Sequence, residues 1–154
     1  MLHVITSLND PLVDLVRDDP VRPEIPKSLR IHDNAQIFVL LDEAGQASAV
    51  TCVSYCDTVP ESVSNLWANA KPSVAAFYTI WSYAPGAGRR LIREAQQYIK
   101  TNNTGVKRYV TLSPKTDMAR VFHHRNGAVT LRENADTVNY EYLDSIGQVA
   151  QQLA

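Results

Sequence analysis

The chain has 154 residues, 45% of them apolar and 20% charged, with a formal net charge of −1. That length and apolar share suffice for one buried core, so a single domain over residues 1–154 is expected. No run approaches the roughly 18 apolar residues of a membrane span, and "MLHVITSLND" lacks the basic start and apolar stretch of a secretory leader, which predicts a cytoplasmic protein without a membrane partner.

Asn9 is placed to cap a short helix over "NDPLVDLVRDD", with Pro11 in its first turn, and Pro20, Pro23 and Pro26 leave residues 20–35 as a long loop. Residues 36–41 and 46–56 read as two strands of a hairpin closed by a tight turn at Gly45. Cys52 and Cys56 fall on one face of the second strand, about 13 Å apart at the usual rise, too far for a disulfide. They are expected to be buried free thiols, and no metal site is expected. Residues 57–73 hold two prolines and Trp67 and predict a short helical piece in a connection longer than a hairpin needs.

Residues 74–83, "VAAFYTIWSY", are rich in β-branched and aromatic side chains and read as a central strand. From Gly88, the positions Leu91, Ile92, Ala95 and Ile99 follow helical spacing, and "NNTG" ends that helix. Residues 106–113 read as a strand, 114–127 as a helix stopped at Gly127, and 128–131 with 137–143 as two closing strands. In the tail, Ile146, Val149, Ala150 and Leu153 form a helical stripe that can pack on the core or on a second copy, giving a homodimer.

The small net charge hides an asymmetry. Residues 1–84 carry five Lys/Arg and ten Asp/Glu, residues 85–132 carry ten and two, and residues 133–154 carry none and four. The basic segment begins at "PGAG", between the strand over 74–83 and the following helix. A helix that starts on so bare a backbone leaves its first N–H groups clustered and approachable. Arg89 and Arg90 add positive charge in the first turn, where the helix dipole disfavours a cation unless an anion sits nearby. The loop is neither a Walker loop, since no Lys-Ser/Thr follows, nor a dinucleotide fingerprint, since the third glycine is missing.

With this order of elements, residues 36–143 resemble the GNAT superfamily of acyl-CoA-dependent N-acetyltransferases. Tyr83-Ala84-Pro85-Gly86-Ala87-Gly88 matches both glycines of the family's Q/R-x-x-G-x-G/A signature, with Tyr83 where Gln or Arg is usual. "TDMARVFHHRNGA" is similar to a second family pattern at Ala119, Phe122 and Gly127; Thr116 stands where Asn is usual and His123 where Tyr is usual. The resemblance implies an α/β (α+β) fold: a mixed, mostly antiparallel twisted sheet of about six to seven strands flanked by helices, with its two central strands splayed apart. It also implies acetyl-CoA as acyl donor, its pyrophosphate held by Gly86, Ala87, Gly88, Arg89 and Arg90, and its remaining length by Ile80, Trp81, Ser82, Tyr83, Thr116 and Phe122.

The family's Tyr protonates the departing thiolate, so the resemblance assigns that role to His123, with the thioester close to Ser113. Imidazole, with a pKa of about 6.5, can serve a thiol of about 8.5 if it carries a proton near neutral pH. His123 shares a helix stripe with Thr116 and Ala119, and His124 falls on the wet side. The acceptor is expected to be a small-molecule or peptide amine, walled by residues 20–35 and 57–73, with His32, Trp67 and Tyr78 in contact. Tyr78 and Ser82 are expected on one strand face with Ile80 between them. The strand holds no carboxylate, and Asp57, Glu61 and His32 are the alternative bases.

Two other readings stay open. One is a non-catalytic module on this fold that binds acyl-CoA or a protein partner, favoured by the departures at Tyr83 and His123. The other is an acyltransferase-like enzyme modifying nucleic-acid bases, which the basic segment permits. The net charge and the lack of aromatic and basic interleaving argue against nucleic acid.

Overall fold

Residues 74–82, rich in β-branched and aromatic side chains, form a strand in the middle of the sheet. The computed structural model describes residues 1–143, so the stripe over 146–153 lies outside the described residues. Among the described residues eight strands form one sheet: β1 (Leu2–Ile5), β2 (Ala35–Leu41), β3 (Ala47–Cys56), β4 (Val74–Ser82), β5 (Arg108–Thr111), β6 (Ser113–Pro114), β7 (Ala128–Glu133) and β8 (Thr137–Tyr142). The helices are α1 (Lys27–Arg30), α2 (Ala87–Asn102) and α3 (Asp117–Arg125), with 3₁₀ turns over Pro11–Asp18 and Val63–Trp67. Among the described residues no helix is long and apolar enough to cross a membrane.

Neighbouring strands run β1-β2-β3-β4-β5-β8, all antiparallel except β4 and β5. A parallel pair needs a crossover, and the 16-residue α2 is part of it. β6 continues along the β8 edge that β5 pairs, and β7 takes the other edge. The sequence reading of six strands lacked β1, whose four residues are too short to show a period, and the break that divides 106–113 into β5 and β6. The first helix is a 3₁₀ segment capped by Asp10, whose Oδ1 accepts from the Leu12 amide at 3.0 Å, in place of Asn9. The loop over 20–35 contains α1.

The central strands β2, β3 and β4 are buried on both faces, whereas β7 is mostly exposed. One face packs on α2 through Leu91, Ile92, Ala95 and Ile99, against Phe38, Val53, Phe77 and Tyr109. Each large aliphatic side chain so buried contributes about 1.5–3 kcal/mol. The other face is covered by Val13, Val16, Ile25, Ile31 and Leu66, packed on Ile37, Val39, Cys52, Cys56, Tyr78 and Trp81. Cys52 and Cys56 are buried free thiols, each pushed up to about 11 mainly by burial.

Two irregularities in β4 position everything that follows. Cys52 pairs with Thr79 but Val53 pairs with Phe77, so Tyr78 is an extra residue, a β-bulge that resets the alternation. Phe77 and Ile80 therefore face α2, while Tyr78 and Trp81 face the opposite core. This corrects the expectation that Tyr78 and Ile80 share a face. The second irregularity is the end of pairing with β5 at Phe77 and Thr111, followed by one bond from the Leu112 amide to Phe77 O at 3.0 Å. β4 runs on to Ser82 while the other chain turns into β6 and stays with β8. The two central strands splay apart, as the resemblance implied.

Candidate functional site

The splay opens toward the N-terminus of α2. Gly86 caps that helix with φ +76°, a left-handed conformation that favours glycine, and no side chain caps the helix. The Ala87 amide donates to Ala84 O at 3.3 Å and the Arg90 amide to Gly86 O at 3.4 Å. Among the described residues, the Gly88 and Arg89 amides have no acceptor. Arg89 is exposed and its side chain makes no hydrogen bond among the described residues, whereas Arg90 Nε pairs with Glu94 Oε2 at 2.6 Å. Free amides, a helix dipole and an uncommitted guanidinium together favour negative charge at this helix start.

Several residues the sequence reading grouped are in contact. A Cβ on Gly88 would lie 3.1 Å from Phe122 Cε1 and 4.0 Å from Ile80 Cδ1, so the second glycine lets α2, α3 and β4 close together. Ala87 is buried in the same core, and Ser82 is exposed at the end of β4. Trp81 points to the opposite core and its Nε1 donates to the Tyr83 hydroxyl at 3.0 Å, so only its backbone can line a groove shared with Ile80. The half-exposed Tyr83 in turn donates to Asp18 Oδ2 at 2.6 Å. Thr116 caps α3, its Oγ1 accepting from the Ala119 amide at 3.2 Å.

His123 and Ser113 are both buried, and no hydrogen bond joins them. Ser113 donates to Thr111 Oγ1 at 2.8 Å. His123 is 4% exposed, stacks on Tyr140 at 5.2 Å between ring centroids and shares a hydrogen bond of 2.7 Å between Nδ1 and the Tyr142 hydroxyl. Burial, with a smaller contribution from neighbouring His124, lowers its pKa to about 4. The buried ring is therefore disfavoured as an imidazolium near neutral pH and keeps a single ring proton. His124, as expected, is on the wet side and bonds Thr130 Oγ1 at 2.8 Å.

On the other face of the splay, His32, Trp67 and Tyr78 form one chain of ring contacts. His32 meets Trp67 edge-on at 6.2 Å, and Trp67 meets Tyr78 at 6.0 Å. His32 Nδ1 accepts from the Asn34 amide at 3.1 Å, which occupies the lone pair of that nitrogen. Asp57 accepts from the Ala70 and Lys71 amides at 3.2 and 2.6 Å, and Glu61 pairs with Arg132 at 3.3 Å, so both serve the 57–73 connection. That connection is strapped to β8 by Asn139 Nδ2, which donates to Pro60 O, and by Thr137 Oγ1, which donates to Glu61 O.

The sequence reading missed a buried polar group behind the splay. Asp19 and Arg30, both fully buried, form an ion pair at 2.8 Å. Asp19 Oδ1 also accepts from Thr79 Oγ1 at 2.7 Å and from the Val21 and Arg22 amides, and Arg30 bonds Ile25 O, Arg22 O and Cys52 Sγ. Arg22 Nη2 donates to Leu112 O at 3.1 Å. Residues 19–22 thus bridge the splay, tied to β4 at one end and to the end of β5 at the other. Among the described residues the buried Tyr78 hydroxyl, beside Cys52 and Arg30, has no hydrogen bond of good geometry.

No family model matches the sequence, and no curated protein matches it. Solved structures do. The chain superposes on Tetrahymena GCN5 with a TM-score of 0.63 at 12% identity, over 92% of this chain and 94% of that one. For the PaiA N-acetyltransferase of Thermoplasma acidophilum, solved in complex with coenzyme A, the values are 0.62, 9%, 94% and 99%. It also superposes on malonyl-CoA decarboxylase from Agrobacterium vitis, with a TM-score of 0.65 and 17% identity over 79% of this chain; it spans about a third of that protein, 35%. The fold is that of the GNAT acetyltransferases, shared with solved structures at 9–18% identity.

Proposed function

We propose that the protein is an acyl-CoA-dependent acyltransferase that moves an acetyl group from acetyl-CoA to an amine. The observation that carries this reading is the bare start of α2, with free Gly88 and Arg89 amides and an uncommitted Arg89, at the point where β4 leaves β5. The PaiA structure, which shares the fold, was solved with coenzyme A. In this reading the pyrophosphate rests on Gly86–Arg90 and the pantetheine arm follows the exposed edge of β4, with Ile80 and Phe122 alongside. The thioester then lies in the splay.

The acceptor approaches from the His32, Trp67 and Tyr78 side and attacks the thioester carbonyl directly. Holding the two reactants in line is the main contribution, because orientation alone can supply about 7–11 kcal/mol. His123 stays neutral and maintains the packing of α3 on β8, and the departing thiolate takes its proton from solvent or from the amine itself. Acetyl-CoA titrated into the purified chain should bind, and Arg89→Glu and Arg90→Glu should each weaken it. Reversing a unit charge about 6 Å from a phosphate in water costs about 1.4 kcal/mol, roughly tenfold in affinity. Unchanged affinity in both variants would overturn the assignment of this loop.

The neutral His123 favours a second reading, a module that binds acyl-CoA without catalysis. Incubation with acetyl-CoA and an amine panel separates the two: acetylated product supports transfer, and binding with no product across the panel supports the module.

A further inference from the structure

The splay contains a cation that the reading above does not use. Leu112 is the last residue whose amide bonds β4, and in a strand the carbonyl of a residue points to the same edge as its amide. Leu112 O therefore faces the gap, and the Arg22 guanidinium fills that position by donating to it from the face opposite α2. Among the described residues, the buried Arg22 Nε has no partner and Nη1 makes no hydrogen bond. Burial lowers the pKa of the group, with Glu24 and Asp19 acting in the other direction. Asp19 does not neutralise it directly, because its carboxylate is taken by Arg30, Thr79 and two backbone amides.

A half-buried guanidinium with unused N–H groups is costly unless an acceptor comes to it. Its planar fork suits a carboxylate, which can take two N–H groups at once. The ring chain of His32, Trp67 and Tyr78 lies on the face opposite α2 as well, and offers apolar surface there.

We infer that Arg22 binds a carboxylate carried by one of the two reactants, at the apex of the splay, and so selects an acidic substrate. The inference rests on the acyltransferase reading for where the reactants lie. The carboxylate can belong to the acceptor, an amino acid or peptide C-terminus, or to the acyl group, a dicarboxylic monothioester. Both place the negative charge one or a few bonds from the reacting atoms, where it fixes their orientation without taking part in the transfer.

The test has two arms on the full-length chain. In the first, malonyl-CoA and succinyl-CoA are titrated against acetyl-CoA. In the second, amino acids are compared with the matching decarboxylated amines by thermal shift, with no CoA ester present. At least a tenfold preference for the carboxylate member is expected in one arm, and the arm that shows it names the source. Arg22→Met should remove that preference; Arg22→Lys, which keeps charge but not the fork, should reduce it and covers the case in which the Met variant does not fold. No preference in either arm, or a preference unchanged in the variants, overturns the inference. A wild-type chain that binds no CoA ester yet distinguishes amino acids from amines in an Arg22-dependent way would refute the acyltransferase reading and leave the carboxylate site standing.

Discussion

Acidification should weaken the fold through His123, and the size of the effect follows from its surroundings. The ring is stacked on Tyr140, bonded to Tyr142 and almost entirely sealed from water, so protonation places a charge in the core between α3 and β8. Its pKa is about 4 in the folded chain against 6.5 in the unfolded one. Between those values the unfolded state binds more protons, so stability rises with pH across this window and is lost as pH falls from 6.5 toward 4. A difference of 2.5 at about 1.36 kcal/mol per pKa unit gives roughly 3 kcal/mol in the limit. Urea unfolding at pH 7.5 and pH 4.5 should show the wild type losing about 2–3 kcal/mol more than His123→Phe, which cannot titrate. Comparing losses between the two chains cancels the carboxylates and the other histidines. Equal losses would mean that His123 titrates normally, and its role as proton donor would then have to be restored.

Two further outcomes concern the scaffold of the site. Gly88→Val should destabilise by about 1–3 kcal/mol, because the new Cβ would start 3.1 Å from the Phe122 ring; an unchanged melting temperature would mean that α3 does not close on α2 as described. Arg30→Met leaves the buried Asp19 carboxylate without its ion pair and should cost about 3–5 kcal/mol, whereas Asp19→Asn together with Arg30→Met should recover part of that loss. Denaturant midpoints of the single and double variants measure the coupling, and strict additivity would show that the pair is not an energetic unit.

The parts of the site that were legible in the sequence are those whose backbone demands one residue type. Gly86 sits where the chain needs a left-handed turn, and Gly88 where two helices and a strand meet too closely for a Cβ; both demands leave glycines at fixed spacing. The α2 stripe was legible because one buried face at helical spacing produces it. The bulge at Tyr78 was not, since an extra residue in a strand of β-branched and aromatic side chains carries no glycine or proline to mark it, and the side-chain faces after it are reversed. Nor was the group of Asp19, Arg22 and Arg30. Its partners Thr79 and Leu112 lie 60 and 90 residues away along the chain, and an arginine between prolines looks the same whether it ends in solvent or at the apex of a sheet.

These two failures of the sequence reading fall at the same place, and the coincidence has a physical basis. The bulge turns Tyr78 and Thr79 toward the face opposite α2, and Thr79 then reaches Asp19, which fixes the turn that carries Arg22 to Leu112. Without the extra residue, the alternation of β4 would send Thr79 to the α2 face, and residues 19–22 would have no anchor on that strand. The splay thus has two chemically different sides built from one strand. Ile80 faces the bare helix start and its uncommitted arginine, and Tyr78 and Thr79 face a ring chain and a second cation. An acyl donor held by its phosphates on the first side and a carboxylate held on the second would meet at the exposed edge of β4, where no neighbouring strand competes for the backbone.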